Sequence, residues 1–187
     1  VGSVWNGLVW FYKLFFAIED IPQDTNGRAF KQEYEQKMRQ RFPQIKLNLR
    51  FFERGFYELC ERSRRDKKPI LVIMLTDSSD ETFQYFINAL SNETAQELIA
   101  NSYNVYGIFR HQVDNNLGTV LQFPPHATMS MWSLVVRHDN NISIISRLAG
   151  QGDEFRSESL INYLTENLNL FHIMCEEDPE YQREQIL

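Results

Sequence analysis

The chain has 187 residues, of which 43% are hydrophobic and 13% aromatic, so one domain can bury a core without disulfides or a structural metal. Its formal net charge of −6 argues against a general nucleic-acid binder, because such domains are usually basic. The two cysteines, Cys60 and Cys175, form neither a disulfide framework nor a metal-binding pair, and such usage is typical of a reducing compartment. The four histidines have no metal-ligand spacing, so we expect no metal and no cofactor.

Residues 1–18 are almost wholly apolar, and Ser3, Asn6 and Lys13 are the polar exceptions. On a helix these three would form a stripe too narrow for a helix that faces water. The pattern predicts an apolar helix in contact with a membrane, although a helix packed in the domain core remains an alternative. The residues expected to contact the membrane are Trp5, Leu8, Val9, Trp10, Phe11 and Phe15.

Residues 19–46 read as a polar linker followed by a helix. Pro22 and Gly27 break regular structure early in this segment, and apolar residues then recur at four-residue spacing over 28–42, ahead of Pro43. From Lys46 to Phe51 polar and apolar residues alternate, which predicts a strand, and we expect 49–52 to join the central sheet.

The centre of the chain contains an unbroken apolar run, Ile70–Leu75, between polar segments. Such a run predicts a strand that is buried on both faces. A helix is predicted over 56–65 before this strand, and another over 81–90 after it. Ser79 or Asp80 can cap the second helix.

The rest of the chain predicts further helices and strands in alternation. Their ranges are a helix at 93–101, a strand at 105–109, a helix at 116–123, strands at 132–137 and 142–147, and a helix after Ser157. The segment 173–187 is polar and reads as the start of an exposed charged helix. The whole order predicts an α/β fold with a mixed sheet flanked by helices.

A helix that begins just after a central strand is the arrangement of a thioredoxin-like active site, where a redox enzyme would carry Cys-x-x-Cys. This chain has no cysteine between Cys60 and Cys175, and Cys60 falls on the apolar face of the predicted helix 56–65. Thioredoxins also place a cis-proline before the facing strand. Here Met131 and Trp132 occupy that stretch, so we expect a trans peptide. These features predict that the chain is not an enzyme.

Five basic residues lie within seven positions, and Asp66 is the one acidic residue among them. The cluster consists of Arg62, Arg64, Arg65, Lys67 and Lys68. One interpretation is the solvated C-terminal turn of a helix, where cations complement the helix dipole. The other is a site for lipid headgroups or carboxylates on an anionic surface.

Four segments together resemble the UAS domain of UBX-domain proteins, in particular the Fas-associated factor 2 type. They are Phe52-Glu53-Arg54-Gly55, the strand Ile70–Leu75 with its cysteine-free loop, the helix around Phe83 and Phe86, and the sequence 144–150. The resemblance covers about residues 47–171. It implies an apolar segment at 1–18, a linker and helix at 19–46, a thioredoxin-like UAS domain at 47–172, and a charged helix that begins at 173.

The resemblance also implies a function. Proteins of this type are membrane-associated ubiquitin-system adaptors at the cytosolic face of the endoplasmic reticulum or on lipid droplets, and they act in endoplasmic-reticulum-associated degradation. They deliver ubiquitinated clients to an AAA ATPase through a UBX domain, which this sequence does not include. Long-chain unsaturated fatty acids and self-association are further implied contacts. The alternatives are a thioredoxin-fold enzyme with a non-cysteine site and a soluble interaction domain.

Overall fold

The computed structural model of the chain describes residues 15–17, 27–112, 121, 124, 126–180 and 183. Within these residues one mixed sheet is covered by helices on both faces. The strands are β1 (Phe15–Ala17), β2 (Ile70–Leu75), β3 (Asn104–Phe109), β4 (Met129–Val136) and β5 (Asn141–Gly150). The α-helices are α1 (Arg28–Arg41), α2 (Phe56–Asp66), α3 (Asp80–Leu90), α4 (Glu93–Ser102) and α5 (Ser157–Glu177).

The sheet has the strand order β1-β5-β4-β2-β3. Strand β2 pairs in parallel with β3 and antiparallel with β4, and β4 forms an antiparallel hairpin with β5. This order brings the ends of four strands together, because Leu75 lies opposite both Phe109 and Met129, and Met129 lies opposite Gly150. We call this the Leu75 end of the sheet.

Strand β2 is internal and fully buried, as its unbroken apolar sequence predicts. Leu71, Ile73 and Leu75 face a core layer formed with α1, α3, α4 and α5, while Val72 and Met74 face a second layer formed with α2. Each fully buried side chain of this size is worth roughly 1.5–3 kcal/mol of transfer free energy. Hydrophobic core layers therefore pack against both faces of β2. The predicted α/β fold with a mixed sheet flanked by helices is confirmed.

The predicted N-terminal helix is wrong at residues 15–17, which form β1. This strand pairs antiparallel with β5, with Phe15 opposite Ser143 and Ala17 opposite Asn141. The physical reason is that the open edge of β5 presents unpaired N–H and C=O groups, which a neighbouring segment can satisfy. Local apolar content cannot reveal such a partner. Residues 1–14 and 18 lie outside the described residues, as does the predicted helix at 116–123 except for Leu121.

The predicted strand at 49–52 is reduced to a single bridge between Phe51 and Val105, in which the Phe52 N–H donates to the Val105 carbonyl over 2.8 Å. The Asn48 N–H instead donates to the side-chain oxygen of Gln96 on α4, at 2.9 Å. Because α4 takes this donor, the ladder does not extend towards residue 48. The outer edge of β3 is therefore only partly covered by this segment.

The remaining elements begin and end close to their predicted bounds, with three informative differences. Strand β4 begins at Met129, earlier than predicted, and β5 continues to Gly150, later than predicted. Helix α5 runs without interruption through positions 173–177. Met174 and Asp178 are buried, so the first part of the predicted exposed helix packs against the domain.

Candidate functional site

The loop after β2 occupies the position of a thioredoxin-like active site and is filled by a hydrogen-bonded cap. One oxygen of the Asp77 carboxylate accepts hydrogen bonds from the Ser79 hydroxyl at 2.6 Å and the Thr82 hydroxyl at 2.6 Å. The Ser79 backbone N–H donates to the same oxygen at 3.0 Å. The Ser79 hydroxyl in turn accepts from the Thr82 backbone N–H, which confirms Ser79 as the N-cap of α3.

These contacts set the charge state of the loop. Hydrogen bonds from Ser79 and Thr82 hold the pKa of the Asp77 carboxyl below its usual range, and His111 adds a smaller contribution in the same direction. Asp77 is thus an ionised acceptor already engaged by three donors, a poor general base for Ser79. No pattern in the sequence indicates that His111 lies near this loop. It follows β3, whose C-terminal end the parallel pairing brings beside that of β2.

Asp80, at the first position of α3, connects this loop to α1 through ion pairs. Its carboxylate forms ion pairs with Lys37 and Arg41, and hydrogen bonds from Arg41 and Lys37 lower the pKa of the Asp80 carboxyl. Asp80 also lies in the first helical turn, where a carboxylate complements the helix dipole. The two carboxylates near this helix start therefore have separate partners, and the structure does not form a catalytic dyad from them.

The residues that face the loop are Ala127 and Thr128, not Met131 and Trp132 as expected from the sequence. The Thr76 hydroxyl contacts the carbonyl oxygens of Ala127 and Thr128, and the Thr76 N–H donates to the Thr128 carbonyl at 3.0 Å. Met131 and Trp132 lie inside β4 and are buried. The cause is the early start of β4, which moves the facing loop upstream.

Neither cysteine lies at the Leu75 end of the sheet. Cys60 is fully buried on α2, and burial raises the pKa of its thiol to about 12. A thiol of this kind is protonated at neutral pH and is a weak nucleophile. Cys175 lies half-buried near the end of α5. The buried position of Cys60 agrees with its predicted place on the apolar face of this helix.

A groove of about 750 Å³ lies between the segment 48–54, helix α2 and the region where α4 meets β3. We call it the Arg50 groove. Six basic side chains line it, namely Lys31, Arg50, Arg54, Arg62, Arg65 and Lys68. Three acidic side chains line it as well, namely Glu53, Glu58 and Glu61. The groove is thus basic on a chain whose net charge is negative.

Two of the acidic groups are already compensated inside the groove. Lys31 lies 3.2 Å from Glu53, and Arg54 lies 3.8 Å from Glu58. The Arg62 guanidinium lies over the Phe52 ring, 5.2 Å from its centroid, in a cation–π contact. Within the described part of the chain, Arg50 and Lys68 have no side-chain ion pair. Arg65 lies 3.8 Å from Asp66, so the uncompensated positive charge of the groove lies mainly on Arg50 and Lys68.

The five residues predicted as a headgroup site do not share one surface. Arg62, Arg65 and Lys68 recur at a spacing of three and line the Arg50 groove. Arg64 points elsewhere and donates a hydrogen bond to the Asn140 side chain at 2.6 Å. Lys67 adopts a left-handed conformation with φ 54° and ends α2. Arg50 is the groove residue that a contiguous sequence cluster could not reveal, because it lies on another segment.

The structure describes little of the predicted membrane contact. Trp5, Leu8, Val9, Trp10 and Phe11 lie outside the described residues, and of Phe15 only the backbone position in β1 is described. Among the described helices, none combines the length and apolar character needed to cross a bilayer. In the same residues no group of three His, Cys, Asp or Glu side chains could hold a metal ion.

No protein-family model matches the chain, and a search of curated proteins found no match. Among solved structures the chain is similar to a thioredoxin from Thermus thermophilus determined in solution. The two share 16% sequence identity and a TM-score of 0.51, over 66% of this chain and 88% of that one. Likeness at this level of identity shows the fold alone. The chain therefore has a thioredoxin-like fold, in which a hydrogen-bonded cap occupies the end of the central strand.

Proposed function

We propose that the chain is a noncatalytic domain of the UAS type from a membrane-associated adaptor of the ubiquitin system. The main observation behind this proposal is which residues occupy the position of a thioredoxin active site. Asp77, Ser79 and Thr82 bond to one another at the start of α3, and both cysteines lie elsewhere. A fold kept without its dithiol is suited to binding rather than to electron transfer.

The adaptor role rests on the sequence resemblance over residues 47–171. In this proposal the domain works at the cytosolic face of the endoplasmic reticulum or on lipid droplets, in endoplasmic-reticulum-associated degradation. Ubiquitinated clients and an AAA ATPase are its partners, and the ATPase is bound through a UBX domain. The thioredoxin-like fold supports the assignment of the domain type and is compatible with this role.

Lipid contact forms the second part of the proposal. The apolar sequence 1–14 would insert into the membrane, while Arg62, Arg64, Arg65, Lys67 and Lys68, on more than one surface around the end of α2, would meet anionic headgroups or fatty-acid carboxylates. The exposed side chains of Arg62, Arg65 and Lys67 near the end of α2 support this part, since positive charge near a membrane surface attracts anionic lipid. Binding to vesicles should therefore weaken when Arg64, Arg65 and Lys68 are reversed to Glu, and the effect should shrink as salt rises.

A disulfide-reduction assay tests the noncatalytic part. We expect the wild-type chain to reduce insulin with a dithiol donor no faster than the donor alone. A variant with Asp77→Cys and Asp80→Cys provides a matched control, because it places Cys-x-x-Cys at the start of α3. Peroxide consumption is measured in parallel, to test for an enzyme with a non-cysteine site. Turnover by the wild-type chain in either assay would contradict the proposal.

A further inference from the structure

The Arg50 groove combines uncompensated positive charge with side chains that can bond a peptide backbone. Arg50 and Lys68 lack ion pairs among the described residues, and Arg62 is held in place by the Phe52 ring. Asn48 and Asn101 also line the groove, and each carries an amide that both donates and accepts hydrogen bonds. A peptide backbone offers both kinds of partner, whereas an acyl chain offers neither.

The shape of the charge distribution also bears on the ligand. Arg62 and Arg65 lie three residues apart on α2, about 4.5 Å along its axis, and Lys68 follows just beyond the end of the helix. Arg50 adds a cation from the segment 48–54. One carboxylate or phosphate can meet only part of such a row, while an extended chain can place several carboxylates along it. Glu61 in the same groove disfavours a compact, highly charged anion.

The groove also borders the edge strand of the sheet. Strand β3 has β2 on one side, and in the described residues its other side carries the single bridge from Val105 to Phe51. Partly covered edges are the places where extended peptides bind proteins. We propose that the Arg50 groove binds an extended acidic peptide segment of a partner protein. The inference rests on the proposed binding function and names the chemistry of one partner.

Binding of a defined peptide to the full 187-residue chain tests the proposal. The probe is a fluorescein-labelled peptide of six Glu-Ala repeats, in which every carboxylate lies on one side of an extended chain. A peptide of six Gln-Ala repeats is the neutral control. Inorganic phosphate and oleate are added as competitors, because they carry the negative charge without the peptide backbone. Titrations at low and high salt are followed by fluorescence anisotropy.

The critical variant is Arg50→Glu with Lys68→Glu, and its matched control is Arg39→Glu with Lys46→Glu. Arg39 and Lys46 are exposed and lie outside the groove, so the net charge changes equally. We expect the groove variant to weaken binding of the acidic peptide by about tenfold or more at low salt, with little change in the control. If the groove variant fails to fold, as judged by circular dichroism, Arg50→Gln with Lys68→Gln replaces it.

Several results would overturn the inference. One is that the groove variant and the control variant lose the same affinity for the acidic peptide. Another is that the glutamine peptide binds as tightly as the acidic peptide. A third is that phosphate or oleate at matched charge displaces the acidic peptide completely. Association with a second copy of the chain in place of the peptide would also overturn it. Lys67→Glu separates this inference from the lipid proposal, since Lys67 is exposed and lies outside the groove, so its reversal should weaken vesicle binding and leave peptide binding unchanged. Disulfide turnover would refute the noncatalytic function without changing the peptide titration.

Discussion

The Arg64 guanidinium donates a hydrogen bond to the side-chain oxygen of Asn140 over 2.6 Å. This bond joins the last turn of α2 to the turn between β4 and β5. Asn140 has φ 64°, in the left-handed region, and its N–H donates to the Arg137 carbonyl at 3.0 Å. Asn140 thus sets the conformation of the turn and binds the last turn of α2. This bond explains why the Arg64 side chain points towards Asn140 and not into the Arg50 groove with Arg62 and Arg65.

Substitutions at Asn140 should separate these two roles. Asn140→Gly keeps the positive φ at no steric cost and loses the bond to Arg64. Asn140→Ala loses the bond and also strains the turn, so we expect it to be less stable than Asn140→Gly by about 1 kcal/mol. Urea denaturation measures both variants, with Arg64→Ala as the control for the bond alone. Equal stability of the two Asn140 variants would show that the turn does not require this conformation.

A buried polar network between α5 and the sheet should be costly to break on one side. The Asn167 side chain accepts from the Ser146 hydroxyl at 2.7 Å and donates to the Tyr163 carbonyl at 2.5 Å. Asn167→Leu would leave the Ser146 hydroxyl without this partner, and we expect a loss of about 1–3 kcal/mol in the free energy of unfolding. Chemical denaturation of the purified variant measures it.

The double variant Ser146→Ala with Asn167→Leu is the control for this network. Replacing both partners by apolar groups removes the desolvation penalty, so the double variant should recover part of the stability lost in Asn167→Leu. A double variant that is less stable than the single one would mean that packing volume, rather than hydrogen bonding, dominates at this site.

Stability should fall at alkaline pH because of Cys60. Burial raises the pKa of its thiol to about 12 in the folded chain, above the ordinary value of 9.0. The unfolded chain therefore loses this proton first, and stability present below about pH 9 declines as pH rises towards 12. Between about pH 8 and pH 10 the wild-type chain should lose about 1 kcal/mol more than Cys60→Ala. Urea midpoints at each pH give the comparison, and Cys175→Ala should follow the wild-type profile.

Two truncations should distinguish the apolar segment from strand β1. Removal of residues 1–14 leaves β1 in place, and we expect loss of vesicle association with little change in solubility. Removal of residues 1–17 also uncovers the edge of β5, so this variant should aggregate in addition. Flotation with vesicles and light scattering measure the two properties. Unfolding of the shorter truncation would mean that residues 1–14 belong to the core.

The sequence by itself determined most of the central architecture. The apolar run of Ile70–Leu75 predicts a strand covered on both faces, because six consecutive apolar residues between polar segments leave neither face of a strand suited to water. The cap at Ser79 follows from a short polar side chain ahead of an amphipathic segment. The absence of Cys-x-x-Cys is likewise visible without coordinates. These features are local, since each depends on residues within one or two turns of the chain.

Tertiary structure decided the features that depend on distant partners. Residues 15–17 form a strand because β5 offers an open edge, while the segment near Asn48 leaves the sheet because Gln96 takes its N–H. The Arg50 groove exists because a loop residue meets one side of α2, whereas Arg64 on another side of the same helix reaches Asn140. A contiguous basic run carries no information on which way each side chain points. That direction follows from the helical rotation of about 100° per residue and from the surfaces packed around the helix.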